Sequence, residues 1–169
     1  TGGVFNELTW FTLRDGKLHV VAGQSSTQKG LFRWQAGVLT NLVYTNTVAP
    51  TGARFHTVHF TTDETSGVVN FVGEVLFGFP GSIYGLFQLT NGNVTTVFDT
   101  ANTYFGDTFS GFGYPVRVGS EIVWGSQYFT NGVQKTGIFR WNGSTLTTLV
   151  NSDVDLPGSL GNYGGSPEY

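Results

Sequence analysis

The chain has 169 residues and a net charge of -3, and Asp, Glu, Lys and Arg together make up only 11% of it. A chain so poor in basic residues has no positive field to hold a phosphate backbone, so nucleic-acid binding is not expected. The absence of cysteine excludes disulfide bridges and thiolate metal sites. No apolar run approaches the roughly 20 residues of a membrane span, so membrane insertion is not expected either. Methionine is absent and Thr1 stands first, which suggests a processed chain or an excerpt from a longer one.

Strands are predicted along the whole chain, because β-branched and aromatic residues run between glycine-containing turns at short intervals. In the first repeat, residues 1–53, the predicted strands are 10–14, 17–22, 30–34 and 38–44. The second repeat, residues 54–107, has strands at 55–61, 68–73, around Gly85-Leu86-Phe87, and at 94–100. The third repeat, residues 108–159, has strands at 112–118, 121–126, around Gly137-Ile138-Phe139, and at 145–150. Residues 160–169 are predicted to begin a fourth repeat.

Short dipeptides join these strands and predict tight hairpin turns, since they reach the positive φ angles that primed turns need. They are Asp15-Gly16, Asn91-Gly92, Asn131-Gly132 and Asn142-Gly143. The last strand of each repeat is less regular, because its apolar residues fall at i, i+3 and i+4 as on a helix. Interleaved threonines and the short length favour a strand that is covered on both faces and contains a bulge.

A five-residue signature recurs, and it predicts the architecture. Gly30-Leu31-Phe32-Arg33-Trp34 returns at Gly85 and at Gly137, spacings of 55 and 52 residues, which indicate a repeat protein. Alternation along the strand places apolar bulk on both of its faces, as a sheet between two others requires. The predicted fold is therefore all-β, a propeller-like array of about three four-stranded antiparallel repeats with a fourth begun at the C-terminus. A β-prism or another closed three-fold β fold is the alternative.

The third repeat resembles a known family most clearly. The matching segments are Phe109-Ser110-Gly111-Phe112-Gly113-Tyr114-Pro115, 119–124, 137–143, 146–150 and Leu156-Pro157-Gly158. They resemble secreted bacterial β-propeller-like repeat proteins of uncharacterised function. The resemblance implies a propeller-like fold and an extracellular or cell-surface location, and it implies no activity. The middle repeat departs from the pattern, with Leu89 in place of tryptophan and Tyr104-Phe105-Gly106 in place of Leu156-Pro157-Gly158.

The connection between the second and third strands varies most among the repeats, and in the middle repeat it is unusually apolar. Its partner-binding candidates are Leu76, Phe77, Phe79 and Tyr84. Exposed apolar patches on polar proteins tend to be contact surfaces, and variable loops are where repeat scaffolds place function. The alternative is that this tip folds over its own sheet.

Aromatic side chains suggest a second kind of site, a carbohydrate-binding surface. Trp34, Trp141 and Trp124 occupy repeated positions and are assigned to packing. Trp10, Tyr114 and Tyr128 are less firmly tied to the repeat, so they are the candidates for stacking on a sugar. A glycan is accordingly the alternative ligand.

Metal and catalytic sites find little support in the sequence. Asn151, Asp153 and Asp155 alternate as calcium ligands do, but the glycine and distant glutamate of an EF-hand loop are missing, which favours a solvated acidic turn. His56 and His59 are expected on opposite faces of one strand, where they cannot share a metal. The Asp63-Glu64 turn is not predicted to form a preorganised site. No catalytic residue, metal or cofactor is assigned.

These observations predict a non-enzymatic extracellular structural or adhesive repeat module. It would associate with further copies, with further repeats of a longer chain, or with a cell-surface partner, through edge strands and the apolar loop. The first alternative is a lectin-like module, and the second is a hydrolase built on a propeller.

Overall fold

The computed structural model describes residues 5–25, 28–62, 64–76 and 81–153, and these residues form fourteen β-strands and no α-helix. No helix in this part of the chain is long and apolar enough to cross a membrane. The strands belong to three antiparallel sheets, here called sheets I, II and III in chain order. The all-β prediction is confirmed, and two of the three predicted repeats form four-stranded antiparallel sheets.

Sheets I and II each contain four strands in sequential order. Sheet I consists of β1 (Glu7–Arg14), β2 (Lys17–Ser25), β3 (Gln28–Gln35) and β4 (Val38–Val43). Sheet II consists of β5 (Phe55–Thr61), β6 (Val68–Leu76), β7 (Ser82–Thr90) and β8 (Asn93–Asp99). The predicted second strands were too short because they were ended at glycines. Gly23 and Gly73 instead lie inside continuous strands.

Sheet III departs further from the prediction. It consists of β9 (Thr103–Tyr104), β10 (Asp107–Phe112), β11 (Val116–Val118), β12 (Glu121–Thr130), β13 (Val133–Trp141) and β14 (Leu146–Asn151). The single strand predicted at 112–118 is wrong: β10 and β11 pair with β12 separately, because Pro115 between them has no N–H to donate to the ladder. The short strand β9 was not predicted, and it pairs with β10. The fourth repeat predicted at 160–169 lies outside the described residues.

Three of the four predicted hairpin turns are confirmed. In Asp15-Gly16, Asn91-Gly92 and Asn131-Gly132 both residues have positive φ, as type I′ turns require. The prediction for Asn142-Gly143 is wrong, since only Gly143 has a positive φ. Oδ1 of Asn142 instead accepts hydrogen bonds from the N–H groups of Ser144 at 3.0 Å and Thr145 at 2.8 Å, which closes a longer loop through the asparagine side chain.

The bulge predicted in the last strand of each repeat is confirmed three times. The register shifts between Leu31 and Phe32, between Leu86 and Phe87, and between Ile138 and Phe139. Each shift leaves one residue of the last strand unpaired, and these residues are Leu42, Val97 and Leu149. A bulge of this kind breaks strict alternation, which is why the apolar spacing looked helical.

The bulged strand also explains why a glycine opens the signature. A Cβ on Gly85 would lie 2.7 Å from Cζ of Phe87 and 3.1 Å from the carbonyl oxygen of Phe98. The ring of the signature phenylalanine folds back over the glycine two residues earlier, and the bulged strand closes the space from the side. Gly137 has the equivalent neighbours, with its Cβ position 3.1 Å from the carbonyl oxygen of Val150 and 3.2 Å from Cε2 of Phe139.

Two apolar cores join the three sheets, and each uses opposite faces of neighbouring sheets. We call the face that carries Leu31, Leu86 or Ile138 the leucine face, and the face that carries Phe32, Phe87 or Phe139 the phenylalanine face. In the first core the leucine face of sheet I (Val21, Leu31, Val43) packs on the phenylalanine face of sheet II (Val69, Phe71, Phe87, Leu89). In the second core the leucine face of sheet II (Val72, Leu86, Phe98) packs on the phenylalanine face of sheet III (Ile122, Trp124, Phe139). Sheet II is therefore covered on both faces, as the signature predicted.

Candidate interaction surfaces

The leucine face of sheet III has no sheet packed against it in the described part of the chain. Leu31 and Leu86 are 0% exposed within the two cores, whereas Ile138, at the same signature position, is 40% exposed. Gly125 pairs with Ile138 as Val21 pairs with Leu31 and Val72 pairs with Leu86. A glycine thus replaces a valine at the centre of this face, and a Cβ there would meet nothing within 4 Å. The result is an apolar depression of 240 Å³, lined in part by Val116, Val123, Ile138 and Val150.

The phenylalanine face of sheet I is the opposite end of the stack, and it also exposes large apolar side chains. Phe11 is 62% exposed and Trp34 is 44% exposed. Phe11 pairs with Val20, as Thr61 of sheet II pairs with the buried Phe71. Phe32 on the same face is covered in part by Phe5, with ring centroids 4.7 Å apart. The exposed residues of this face therefore form an apolar surface around a small buried cluster of Val20, Ala22 and Phe32.

Two of the three predicted sugar-stacking residues meet each other. The rings of Trp10 and Tyr114 stack with centroids 4.7 Å apart and planes 21° apart. Phe60 contacts both rings, and Nε1 of Trp10 donates to the carbonyl oxygen of Thr61 at 2.9 Å. These three aromatic residues come from the first-strand regions of sheets I, II and III, so those regions converge at one side of the molecule.

The third predicted sugar-stacking residue was wrongly placed at the surface. Tyr128 is only 3% exposed, and its ring meets that of Phe139 edge-on with centroids 5.0 Å apart. Tyr128 belongs to the core between sheets II and III, so its ring offers no platform to a ligand. The prediction failed because β12 runs four residues further than expected and keeps alternating into the core.

The predicted apolar loop is described only at its two ends. Leu76 ends β6 and Tyr84 lies in β7, and both side chains are exposed. Tyr84 stacks on His59 with ring centroids 5.8 Å apart. Phe77 and Phe79 lie outside the described residues.

An ion-pair cluster around Glu64 was missed by the sequence analysis. The Glu64 side chain is 7% exposed and accepts a hydrogen bond from Nζ of Lys17 and one from Nη1 of Arg33 at 3.1 Å. Nε2 of His19 lies 3.4 Å from Oε2 of Glu64. The cluster ties the β5–β6 connection of sheet II to β2 and β3 of sheet I. The signal was the period-2 spacing of Lys17, His19 and Val21, which puts the basic residues at the end of the leucine face.

Burial and charge shift the pKa values of this cluster and of one further histidine. Burial lowers the pKa of His19 and outweighs the nearby Glu64 carboxylate. Burial on its own would raise the pKa of Glu64, but the hydrogen bonds from Lys17 and Arg33 outweigh it and leave that pKa below its ordinary value. Burial also lowers the pKa of His59, against the opposing charge of Glu74. All three groups therefore take up protons less readily in the folded chain.

We expect the free energy of unfolding to fall as the pH is lowered from 7 to 4. The stabilisation linked to His19 and His59 is present above their ordinary pKa of 6.5 and is lost as the pH falls through their lowered folded values. Glu64 adds a second loss below its ordinary value of 4.5. Urea titrations at one fixed protein concentration, followed by tryptophan fluorescence, measure both losses. Glu64→Gln should remove the second loss and enlarge the first, because the Glu64 carboxylate raises the pKa of His19. A stability that rises on acidification would contradict the assignment.

Two of the residues considered for metal binding, Asn151 and Asp153, accept hydrogen bonds from other groups of the protein. Asp153 accepts a hydrogen bond from Nζ of Lys135, and Oδ1 of Asn151 accepts one from the N–H of Asp153 at 3.1 Å. Asp155 lies outside the described residues. His56 and His59 both occupy bulges of β5, so the simple alternation used to separate them does not apply. No group of three or more His, Cys, Asp or Glu suited to a metal occurs within the described ranges.

No model of a known protein family matches the chain, and no curated protein is significantly similar to it. The resemblance to secreted bacterial propeller-like repeat proteins therefore stays a prediction.

Proposed function

We propose that the chain is a non-enzymatic extracellular structural or adhesive module that acts by protein association through the two outer faces of its stack. One observation carries the proposal. Within the described residues, the stack ends in an exposed leucine face on sheet III and a partly exposed phenylalanine face on sheet I. Contacts between these two kinds of face form the two cores that join the sheets.

The driving force for this association is the burial of apolar area. Burying a side chain such as Ile138 or Phe11 contributes about 1.5–3 kcal/mol, and both side chains remain substantially exposed. Apolar patches of this kind on a polar surface mark contact sites. The edge strands and the loop around Leu76 and Tyr84 remain secondary contacts, since an unpaired edge can accept another strand. The extracellular location is supported by the sequence resemblance and by the low content of charged residues.

The test is the association state of the purified chain and of one charged variant. Wild-type protein should associate with rising concentration in sedimentation or light-scattering measurements. Ile138→Asp should weaken the association about 100-fold or more, because an unpaired carboxylate would be buried in an apolar contact. Val48→Asp is the matched control, since Val48 is an exposed apolar residue in the connection between sheets I and II, and it should associate as the wild type does.

A wild-type chain that stays strictly monomeric at high concentration would contradict the proposed function. Loss of association in Val48→Asp to the same extent as in Ile138→Asp would also count against it. The thermal midpoint of each variant, measured by circular dichroism, separates a surface effect from unfolding. Ile138 and Val48 are both exposed, so both variants should keep the fold.

A further inference from the structure

We propose that the partner is a second copy of this chain, bound head to tail. The leucine face of sheet III in each copy would pack on the phenylalanine face of sheet I in the other copy, so that two chains close one ring of six sheets. This inference rests on the proposed function and adds to it the partner, the pairing of faces and the number of copies.

The chain itself shows which face the free leucine face should accept. Each of the two internal cores joins a leucine face to the phenylalanine face of the next sheet along the chain. Within the described residues no two leucine faces pack together, and no two phenylalanine faces do. Continuing the same contact, sheet III requires a phenylalanine face, and among the described sheets the phenylalanine face with no sheet packed on it belongs to sheet I. The two outer faces of one chain, the leucine face of sheet III and the phenylalanine face of sheet I, are therefore of complementary kinds.

The residues at the two ends also fit this pairing. At equivalent positions, Thr61 pairs with Phe71 in sheet II and Phe11 pairs with Val20 in sheet I. The large side chain therefore lies on the second strand in sheet II and on the first strand in sheet I. On the receiving side Gly125, which stands where sheets I and II have Val21 and Val72, lines the 240 Å³ depression. Large exposed rings at one end thus match an apolar depression at the other. Interfaces gain affinity when an aromatic anchor enters such a depression.

The contact is expected to close a ring and not to extend a filament. A head-to-tail contact closes when its repeated rotation returns to the start. The stacked rings of Trp10 and Tyr114, with Phe60 against both, show that the first-strand regions of all three sheets converge at one side. Sheets whose first strands converge at one side are arranged radially about an axis. Each added sheet is therefore rotated relative to the sheet before it. Rings of four-stranded units close with about four to eight of them, and two chains of three sheets supply six.

Complementation between two single-face variants tests the pairing directly. Ile138→Asp damages only the leucine face, and Phe11→Asp damages only the phenylalanine face. At a concentration where native mass spectrometry shows the wild type as a dimer, each variant alone should be monomeric. An equal mixture should form a heterodimer, because one undamaged leucine face then meets one undamaged phenylalanine face. With one intact contact out of two, this heterodimer should dissociate at least tenfold more readily than the wild-type dimer.

The outcomes separate this inference from the proposed function. If one variant alone still forms the full amount of dimer, and mixing adds nothing, like faces pair and the head-to-tail inference is overturned, while association through the end faces stands. Wild-type masses that grow beyond two copies with concentration overturn the closed ring in the same way. A strictly monomeric wild type overturns both. Mixing Val48→Asp with either variant provides the control, since it contributes two undamaged faces and should also restore association.

Discussion

Replacing Phe87 by alanine should lower the free energy of unfolding by about 4 kcal/mol, the largest effect expected from a single change in this chain. Phe87 is 1% exposed in the middle sheet, and its ring meets those of Phe55 at 4.9 Å and Phe71 at 5.5 Å. Alanine would leave a cavity between sheets I and II, and the surrounding strands are too firmly paired to fill it. Urea unfolding at a fixed protein concentration, followed by tryptophan fluorescence, gives the value.

The repeat supplies internal comparisons for this result. Phe139→Ala should cost nearly as much, because Phe139 is fully buried against Trp124 and Tyr128. Phe32→Ala should cost less, since Phe32 lies on the outer face of sheet I. Phe105→Ala, in the exposed turn before β10, serves as the control and should change stability by less than about 1 kcal/mol. Equal losses at Phe32 and Phe87 would contradict the stacking order of the three sheets.

Gly85→Ala should lower the free energy of unfolding by about 3 kcal/mol, although it adds only one methyl group. The new Cβ would lie 2.7 Å from Cζ and 2.8 Å from Cε2 of Phe87. The Phe87 ring is held by Phe55 and Phe71 and has no free space to move into. The clash therefore has to be relieved by moving the backbone next to the β8 bulge.

Gly111→Ala is the matched control for that substitution. Gly111 also lies in a strand next to a bulge, but a Cβ there would meet nothing within 4 Å and its φ is not positive. The change should alter stability by no more than about 0.5 kcal/mol. The same urea titrations compare the two variants. A Gly85→Ala variant as stable as the wild type would show that the glycine is not required by the ring that folds over it.

The repeated signature was informative because it is a local pattern with a local cause. Gly85 and Phe87 lie two residues apart on one face of one strand, so the glycine and the ring that covers it are both visible in the sequence. The bulges at Leu42, Val97 and Leu149 were foreseen for the same reason, since an extra residue changes the spacing of apolar side chains.

The errors fell where distant parts of the chain decide the outcome. The burial of the Tyr128 side chain depends on its contact with Phe139 and on the length of β12. The partners of Glu64 lie 47 and 31 residues away in the chain, at Lys17 and Arg33. The local spacing places Lys17 on the leucine face, but it does not identify Glu64 as the partner of Lys17 and Arg33, because these side chains meet only when sheets I and II pack together. The turn at Asn142 was missed because its own side chain, and not its backbone conformation, closes the loop.

The sequence by itself determined the all-β class, the three repeated units and the position of the glycine that opens each signature, because hydrogen-bonded hairpins and alternating faces are local properties. Only the tertiary structure decided the order in which the faces pack and which faces remain free at the two ends. Ile138 occupies the same signature position as the buried Leu31 and Leu86, but within the described residues no sheet packs against it. Exposure of that kind depends on which sheets meet in space, and this is decided by contacts between residues far apart in the chain.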